Sequence, residues 1–387
     1  MRWLMLLVAV GFLGCVKAPP PKPKAEKIVL EPLEEVRETV EEAFKAVESG
    51  DSDRIEPLFS DDALVLGLGP SDTWSGSVVV GERARQALLP IGLAGDTIKF
   101  EDSKIVIGLA PGDQAAWAFD LPKVTTTHKG KSAVWLPRVT MHLIKDGKWK
   151  IDALHVSLAV PDALVSAPDA TKKLVAPSDV TNDRNADSDQ IVGVVKRSLE
   201  DYGVKVDRSS ERAEFVQLGT SAAEVFIGGK AFKDLLKPQV GAIKKAGYTW
   251  KIDGNLRVKL APGGHSGWAA AIVVQRSGSG KKAQTYPAFR YLWTLVEEDG
   301  VWNITSEHQS LAVKEDLRDP ATDDQLKTWQ ATRDLAEKTM AKSRSTAKKP
   351  SKTDAKADSG GDDKPPKKDD KKDEKKDEKK DADIGAW

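Results

Sequence analysis

The sequence predicts an α+β fold that is built twice within one chain of 387 residues. One observation is that apolar residues at helical spacing come first and are followed by segments with strand patterning and tight turns. The other is that several motifs recur in the same order about 150 residues later, as in a duplicated unit. Helices followed by an antiparallel meander are the α+β arrangement.

The internal repeat preserves order, turn chemistry and aromatic spacing together, which chance does not do, so we infer a duplication. Three pairs of motifs carry it: Leu109-Ala110-Pro111-Gly112 and Leu260-Ala261-Pro262-Gly263; Asp146-Gly147-Lys148-Trp149 and Asp299-Gly300-Val301-Trp302; His155-Val156-Ser157 and His308-Gln309-Ser310. Trp117 and Trp268 follow the first pair at the same distance.

The elements of each copy follow from periodicity and turn residues. In the first copy an apolar stripe that begins at Val36 predicts a helix that Gly50 ends. A short helical segment ending near Phe59 comes next. The remaining predicted elements are a strand at Ala63–Leu68, a helix at Glu82–Leu89, and strands at Thr97–Leu109, Ala115–Thr127, Ser132–Ile144 and Lys148–Val160. The second copy is predicted to have helices at Gln190–Asp201 and Lys230–Lys245, then strands that end at Val313.

This order of elements resembles the SnoaL-like branch of the NTF2-like superfamily. The matching residues of the first copy are Ser49, Gly50, Asp51, Phe59, Asp61, Asp62, Ala63, Gly81, Trp117, Thr140, Gly147, Trp149, Ile151, His155 and Ser157. The second copy keeps only its later half clearly. The resemblance implies two cones, each with N-terminal helices and a curved antiparallel sheet, and a relationship to isomerases, cyclases and non-catalytic binding or scaffolding domains.

The domain boundaries follow from composition. Residues 1–14 are predicted to be a lipoprotein signal peptide, because Phe12-Leu13-Gly14-Cys15 resembles a lipobox and Cys15 is the one cysteine. The alternatives are an ordinary signal peptide with a stray thiol and an uncleaved anchor. The further segments are a Pro/Lys-rich spacer (15–31), domain 1 (32–162), a linker (163–186), domain 2 (187–316), a closing helix (317–340) and a disordered Lys/Asp-rich tail (341–387).

Charge and motif content exclude several function classes. Lys+Arg and Asp+Glu are both 59, so there is no basic footprint and we expect no nucleic-acid partner. The five His are scattered, so neither a metal site nor a cofactor is predicted. The tail is interpreted as a solubilising segment in preference to a peptidoglycan or polyanion binder.

Strand alternation predicts that Trp149, Ile151, Ala153, His155 and Ser157 share one inward face. The equivalent residues Trp302, His308 and Ser310 follow the same rule. The candidate pocket residues are therefore Trp149, His155, Ser157, Trp302, His308, Ser310 and the inward acid Asp120. The favoured interpretation of each His is a core residue bonded to backbone or to the Ser two positions on. An isomerase site would need a carboxylate or His base beside a buried Tyr, and the second copy shows no carboxylate at a matching inward position.

These observations predict a lipid-anchored protein of the bacterial envelope, on the periplasmic face of the outer membrane, held by lipid on Cys15. Its expected activity is non-catalytic binding of a small apolar ligand or an envelope protein. The alternatives are an isomerase or cyclase and a purely structural role. By analogy, the two cones are expected to pair within the chain or in a homodimer.

Overall fold

A computed structural model describes residues 31–161, 165, 186–278, 284–315 and 318–347 of the chain. The predicted signal peptide, Cys15, nearly all of the spacer and linker, and the tail beyond residue 347 lie outside the described residues. The described residues from Glu31 to Ser343 form one compact unit. The last residues of the final helix, from Arg344 to Ala347, belong to a second unit.

The first helix, α1 (Pro32–Ser49), has the predicted form. Val36 and Val40 are buried along one side of it. Gly50 ends the helix at φ 68°, a left-handed conformation that glycine adopts without steric cost, and its N–H bonds the carbonyls of the last turn. Short 3₁₀ turns follow at Ser52–Arg54 and Glu56–Leu58, and α2 (Ser77–Leu93) is longer than predicted.

The strands of the N-terminal half (Pro32–Val160) form two sheets. The larger sheet has the order β2-β1-β9-β8-β5-β4, and the smaller one has the order β3-β6-β7. The strands are β1 (Phe59–Leu66), β2 (Thr73–Ser75), β3 (Thr97–Glu101), β4 (Val106–Leu109), β5 (Ala115–Asp120), β6 (Lys123–His128), β7 (Lys131–Trp135), β8 (Pro137–Asp146) and β9 (Lys148–Leu158).

The predicted long strands are therefore interrupted. Pro122 separates β5 from β6, and Pro137 begins β8 after β7 ends. Proline lacks the N–H that an interior strand donates, which limits continuous pairing at these two points. Asp102 lies between β3 and β4 with a positive φ of 55°. These breaks let the outer parts of the strands pair separately as β3-β6-β7.

The C-terminal half (Ala186–Val313) has elements that sequence reasoning missed. The prediction at Lys230–Lys245 is broken into two helices by a 3₁₀ turn that contains Pro238. A short helix and two short strands precede it, at Tyr202–Arg208, Val216–Leu218 and Val225–Ile227. The helices are α3 (Ala186–Glu200), α4 (Tyr202–Arg208), α5 (Gly229–Leu236) and α6 (Val240–Lys245). The strands are β10 (Val216–Leu218), β11 (Val225–Ile227), β12 (Thr249–Ile252), β13 (Arg257–Leu260), β14 (Ser266–Ser277), β15 (Gln284–Glu298) and β16 (Val301–Ser310).

The two large sheets have the same strand order. The C-terminal sheet runs β11-β10-β16-β15-β14-β12, with β13 also pairing β14. In each sheet the first strand of the half pairs in parallel with the last, β1 with β9 and β10 with β16. The mixture of helices and largely antiparallel sheets confirms the predicted α+β class.

Each large sheet has two buried faces. One face packs on the helices of its own half, with α1 and α2 on the first sheet and mainly α3 on the second. The other face meets the second sheet, and we call this contact the junction. Three mixed apolar clusters fill the junction: Leu64, Leu66 and Ala153 with Trp268, Ala270 and Leu292; Ala110, Ala115, Trp117 and Ile144 with Ala261 and Val296; Phe119 and Leu121 with Val216 and Leu218.

The closing helix α7 (Asp323–Ala347) lies across both halves. Trp329 donates its indole N–H to the Leu121 carbonyl at 2.9 Å. Thr339 approaches Gly228 so closely that a Cβ at that glycine would lie 2.7 Å from its methyl group. None of the described helices is long and apolar enough to cross a membrane.

Candidate functional site

The two histidines predicted as pocket residues contact each other inside the junction. The rings of His155 and His308 stack with centroids 3.8 Å apart, and both side chains are fully buried. His155 Nε2 lies 2.7 Å from the Ser310 hydroxyl, and His308 Nε2 lies 2.7 Å from the Ser157 hydroxyl. Each His is therefore bonded to the Ser of the other half and not to the one two residues along its own strand.

The two stacked imidazoles differ in the hydrogen bonding of their Nδ1 atoms. His308 Nδ1 lies 2.9 Å from the Thr140 hydroxyl, whereas His155 Nδ1 has no hydrogen-bond partner among the described residues. Thr140 pairs with His155 across β8 and β9, and at the equivalent place Leu292 pairs with His308. The C-terminal half therefore lacks the hydroxyl that would bond His155.

Burial lowers the pKa of His155 and His308 well below the usual value of 6.5. The guanidinium groups of Arg290 and Arg138 lower the pKa of His155 further, and the neighbouring ring and Arg138 do the same for His308. Both rings are therefore neutral at pH 7 and hold their places as hydrogen-bonded core groups.

The predicted shared face of Trp149 through Ser157 is wrong. A bulge at Asp152 shifts the register, because His142 pairs with Ala153 but Leu143 pairs with Ile151. Trp149 and Ile151 consequently pack in the helix-covered core, while His155 and Ser157 face the junction. The second half has the same irregularity at Thr305, so Trp302 lies in its core and His308 and Ser310 lie at the junction.

Two buried arginines join the halves reciprocally. Arg138 donates to the carbonyls of Thr220 and Ser221 at 3.4 and 3.2 Å, in the turn between β10 and β11. Arg290 donates to four carbonyls of the equivalent turn between β1 and β2, at 2.7 to 3.4 Å. Burial lowers the pKa of each guanidinium to about 10, so both stay charged at neutral pH.

Asp152, the bulge residue, anchors a polar cluster between the halves. It accepts hydrogen bonds from Ser60 at 2.6 Å, from the indole of Trp268 at 2.7 Å and from the ammonium of Lys259. Burial raises the pKa of this carboxyl, but its contacts with His142 and Lys259 outweigh that effect and keep the pKa well below its usual range. Asp152 is therefore a paired, ionised structural group.

The remaining predicted acid, Asp120, lies at the end of β5 and is buried. Its carboxylate accepts from the Ser103 hydroxyl at 2.5 Å and from the backbone N–H groups of Lys104 and Leu121 at 3.0 and 2.8 Å. Burial raises its pKa, and these hydrogen bonds oppose that rise. Asp120 therefore fixes the loop between β3 and β4.

Sequence reasoning missed an inward carboxylate in the C-terminal half. Because the Thr305 bulge reverses the alternation, Glu307 faces the helices instead of the junction and is 2 % exposed. It accepts hydrogen bonds from Lys205 at 2.6 Å, from Gln217 at 3.1 Å and from the Trp293 indole at 3.0 Å. Burial opposes the charged form of Lys205, but Glu307 raises the pKa of that ammonium overall. A buried ion pair with three donors on one carboxylate leaves little capacity for proton transfer.

Small apolar cavities lie where the two halves meet the segment before α7. One, of about 50 Å³, is lined by Leu121, Trp135, Val225 and Trp329 among others. A neighbouring one of about 150 Å³ is lined mostly by apolar side chains of both halves, including Val160 and Leu311. Leu158, Ala159, Asp319 and Gln325 border both cavities. Across the described residues, no three His, Cys, Asp or Glu side chains are placed to hold a metal ion.

A family model described as "SnoaL-like domain" matches residues 36–161. This part of the chain is therefore a SnoaL-like domain. No curated protein matches the chain.

Three solved structures that resemble the chain do so over about one third of its length. An NTF2-like protein with a cystatin-like fold from Novosphingobium aromaticivorans is 16% identical, covers 33% of this chain and 80% of its own, and has a TM-score of 0.29. An NTF2-like protein of unknown function from Pseudomonas putida is 18% identical over 32% and 84% of the two chains, with a TM-score of 0.28. A ketosteroid isomerase-like protein from Erwinia carotovora atroseptica is 14% identical over 34% and 98%, with a TM-score of 0.27. No activity is carried over from similarities this distant.

Proposed function

We propose that this chain is a lipid-anchored envelope protein that binds a small apolar ligand and catalyses no reaction. In this proposal residues 187–316 are a diverged second NTF2-like domain, and the two domains pair through the junction within one chain. The shared strand order and the reciprocal His–Ser and Arg–carbonyl bonds support the pairing.

The observation that carries the non-catalytic assignment is that the buried carboxylates already have protein partners. Glu307, Asp152 and Asp120 each accept three hydrogen bonds from the protein. The stacked imidazoles are fully buried and hydrogen-bonded across the junction. A general base needs a free lone pair within reach of a substrate proton.

The ligand site that we propose is the pair of apolar cavities where the two halves meet the segment before α7. It is not the helix-covered interior of either half. An apolar cavity of about 150 Å³ is large enough for a single aromatic ring. Ala159 borders both cavities, so a larger side chain there would fill them.

Thermal denaturation of the full chain with and without benzene tests this site. Benzene should raise the melting temperature, and Ala159→Leu should remove the increase. Ala246→Leu, at an exposed alanine, is the matched control and should keep it. Val313→Phe, which fills the larger cavity from the C-terminal half, serves if Ala159→Leu does not fold. An absent shift, or a shift that survives both filling variants, would overturn the proposed site.

The lipid anchor is tested separately. Cys15→Ser should release the protein from the periplasmic face of the outer membrane into the soluble fraction, because the acylated thiol is lost. Membrane association that persists in this variant would count against the anchor. An envelope protein recovered by crosslinking the intact cells would favour a protein partner over the apolar ligand.

An isomerase or cyclase is the second candidate, and Glu307 is the observation in its favour. Tyr202 and Tyr291 lie near this carboxylate, and burial, the largest cause, raises the pKa of both phenols. Glu307→Gln separates the two functions. Benzene binding should persist in this variant, whereas an enzymatic turnover found in a substrate screen should disappear.

A further inference from the structure

We propose that the C-terminal half carries a binding site for a small molecule with a phosphate or carboxylate group, independent of the apolar cavities. The site is an open cleft of about 400 Å³ between α3, the end of α4 and the turn that joins β15 to β16. Arg197 and Arg208 line it, and Val194, Val301 and Trp302 form its apolar surface.

Both arginines lack a partner of their own. The guanidinium groups of Arg197 and Arg208 form no ion pair and no hydrogen bond with any described residue, although Asp189 lines the same cleft. Arginine presents several N–H donors in a planar fork that matches the oxygens of a carboxylate or a phosphate. Two such groups facing one cleft give it an excess of positive charge and unused donors.

The N-terminal half shows the closed counterpart of this arrangement. The buried stripe of α1 (Val36, Val40 and Phe44) matches that of α3 (Ile191, Val195 and Leu199) at a constant spacing. At the α1 position that corresponds to Arg197 stands Glu42, which accepts two hydrogen bonds from Arg54 at 2.5 and 2.8 Å. In the N-terminal half, Arg54 is therefore neutralised by Glu42. In the C-terminal half, Arg197 stands at the position of that carboxylate.

A helix-interior glycine keeps the cleft open. Gly193 lines the cleft, and a Cβ built on it would have only the Arg197 guanidinium nearby, at 3.8 Å. Glycine inside a helix is destabilising relative to alanine, and no close packing requires it here. The missing side chain instead leaves room beside the guanidinium for an anion whose apolar body contacts Val194 and Val301.

The test is titration of the full chain with inorganic phosphate and, separately, with acetate, followed by calorimetry at constant ionic strength. We expect saturable binding of one or both anions, and Arg197→Gln and Arg208→Gln should each weaken it about tenfold. Arg197→Glu, which recreates the charge of Glu42, should abolish it. Lys196→Gln is the matched control, because it removes one positive charge from the same helix outside the cleft.

The two anions distinguish the ligand chemistries. Preference for phosphate assigns a phosphorylated ligand, and preference for acetate assigns a carboxylic acid. Absence of saturable binding of both anions would overturn the proposal. An equal loss in Lys196→Gln would also overturn it, since that result would mean attraction to the overall charge of the helix.

Discussion

The two halves of the molecule share a strand order and a junction, but their interiors differ. At three neighbouring positions on paired strands, the N-terminal half has Val65, Leu154 and Met141. The C-terminal half has Gln217, Glu307 and Trp293 at the equivalent positions. One interior is thus entirely apolar at this place, whereas the other contains a buried ion pair and its donors.

The contact between the two halves is therefore alike on both sides, whereas the two interiors differ. The His, Ser and Arg residues of the junction are present in both halves because each bonds the other half. Glu307 is tolerated in the second interior because Lys205, Gln217 and Trp293 satisfy it.

The largest expected effect is on this ion pair. Lys205→Met should destabilise the protein by about 3–5 kcal/mol, because it leaves the Glu307 carboxylate buried without its cation. The double variant Lys205→Met/Glu307→Leu, which imitates Leu154 of the other half, should regain only part of the loss, because the buried donors of Gln217 and Trp293 then lack their acceptor. Urea denaturation measures both. A small effect of the single variant would show that the pair is hydrated and does not distinguish the two interiors.

The junction should make stability depend on pH in a defined direction. His155 and His308 have lowered pKa values in the folded protein, so below about pH 6.5 the unfolded chain binds protons that the folded protein does not. The free energy of unfolding should therefore fall as the pH decreases from 6.5 to 5, by up to about 1.4 kcal/mol per pH unit for each ring. Above pH 6.5 this contribution is fully retained.

Denaturation curves at several pH values measure this slope. The double variant His155→Leu/His308→Leu removes both titratable rings and should lose it. An unchanged slope in this variant would mean that other groups cause the acid sensitivity.

A smaller effect should distinguish the two sides of the stacked pair. Thr140→Val removes the hydroxyl that bonds His308 Nδ1 and should cost about 1 kcal/mol. Leu292→Val at the equivalent position alters packing but removes no hydrogen bond. The pH slope separates the two changes, because only Thr140→Val alters the environment of a ring nitrogen. Equal slopes in both variants would contradict the asymmetry.

Local signals predicted the first helix and the class of fold, but they missed α4 and the break between α5 and α6. The Val36 stripe and Gly50 define α1 because helical periodicity and the left-handed end are properties of neighbouring residues. The breaks at Pro122 and Pro137 follow from the same kind of rule, although the predicted strands ran through both prolines.

The candidate site was less predictable because two β-bulges determine it. Beyond the bulge residues Asp152 and Thr305, simple alternation assigns the side chains of β9 and β16 to the wrong face of the sheet. Neither bulge residue is of a type that predicts a β-bulge. This error concealed Glu307 and placed His155 with Trp149. The serine partners could not be predicted either. The hydrogen bond between His155 and Ser310 joins residues 155 positions apart in sequence, so it depends on how the two sheets pack.

The most direct test of the paired-domain account is a double-mutant cycle on His155 and Ser310, which belong to different halves. Free energies of unfolding of His155→Ala, Ser310→Ala and the double variant give the coupling between the side chains. The account predicts a coupling of about 1 kcal/mol, because their 2.7 Å hydrogen bond is buried. Additive effects in this cycle, together with coupling between His155 and Ser157 of the same strand, would contradict the pairing of the two halves through the junction.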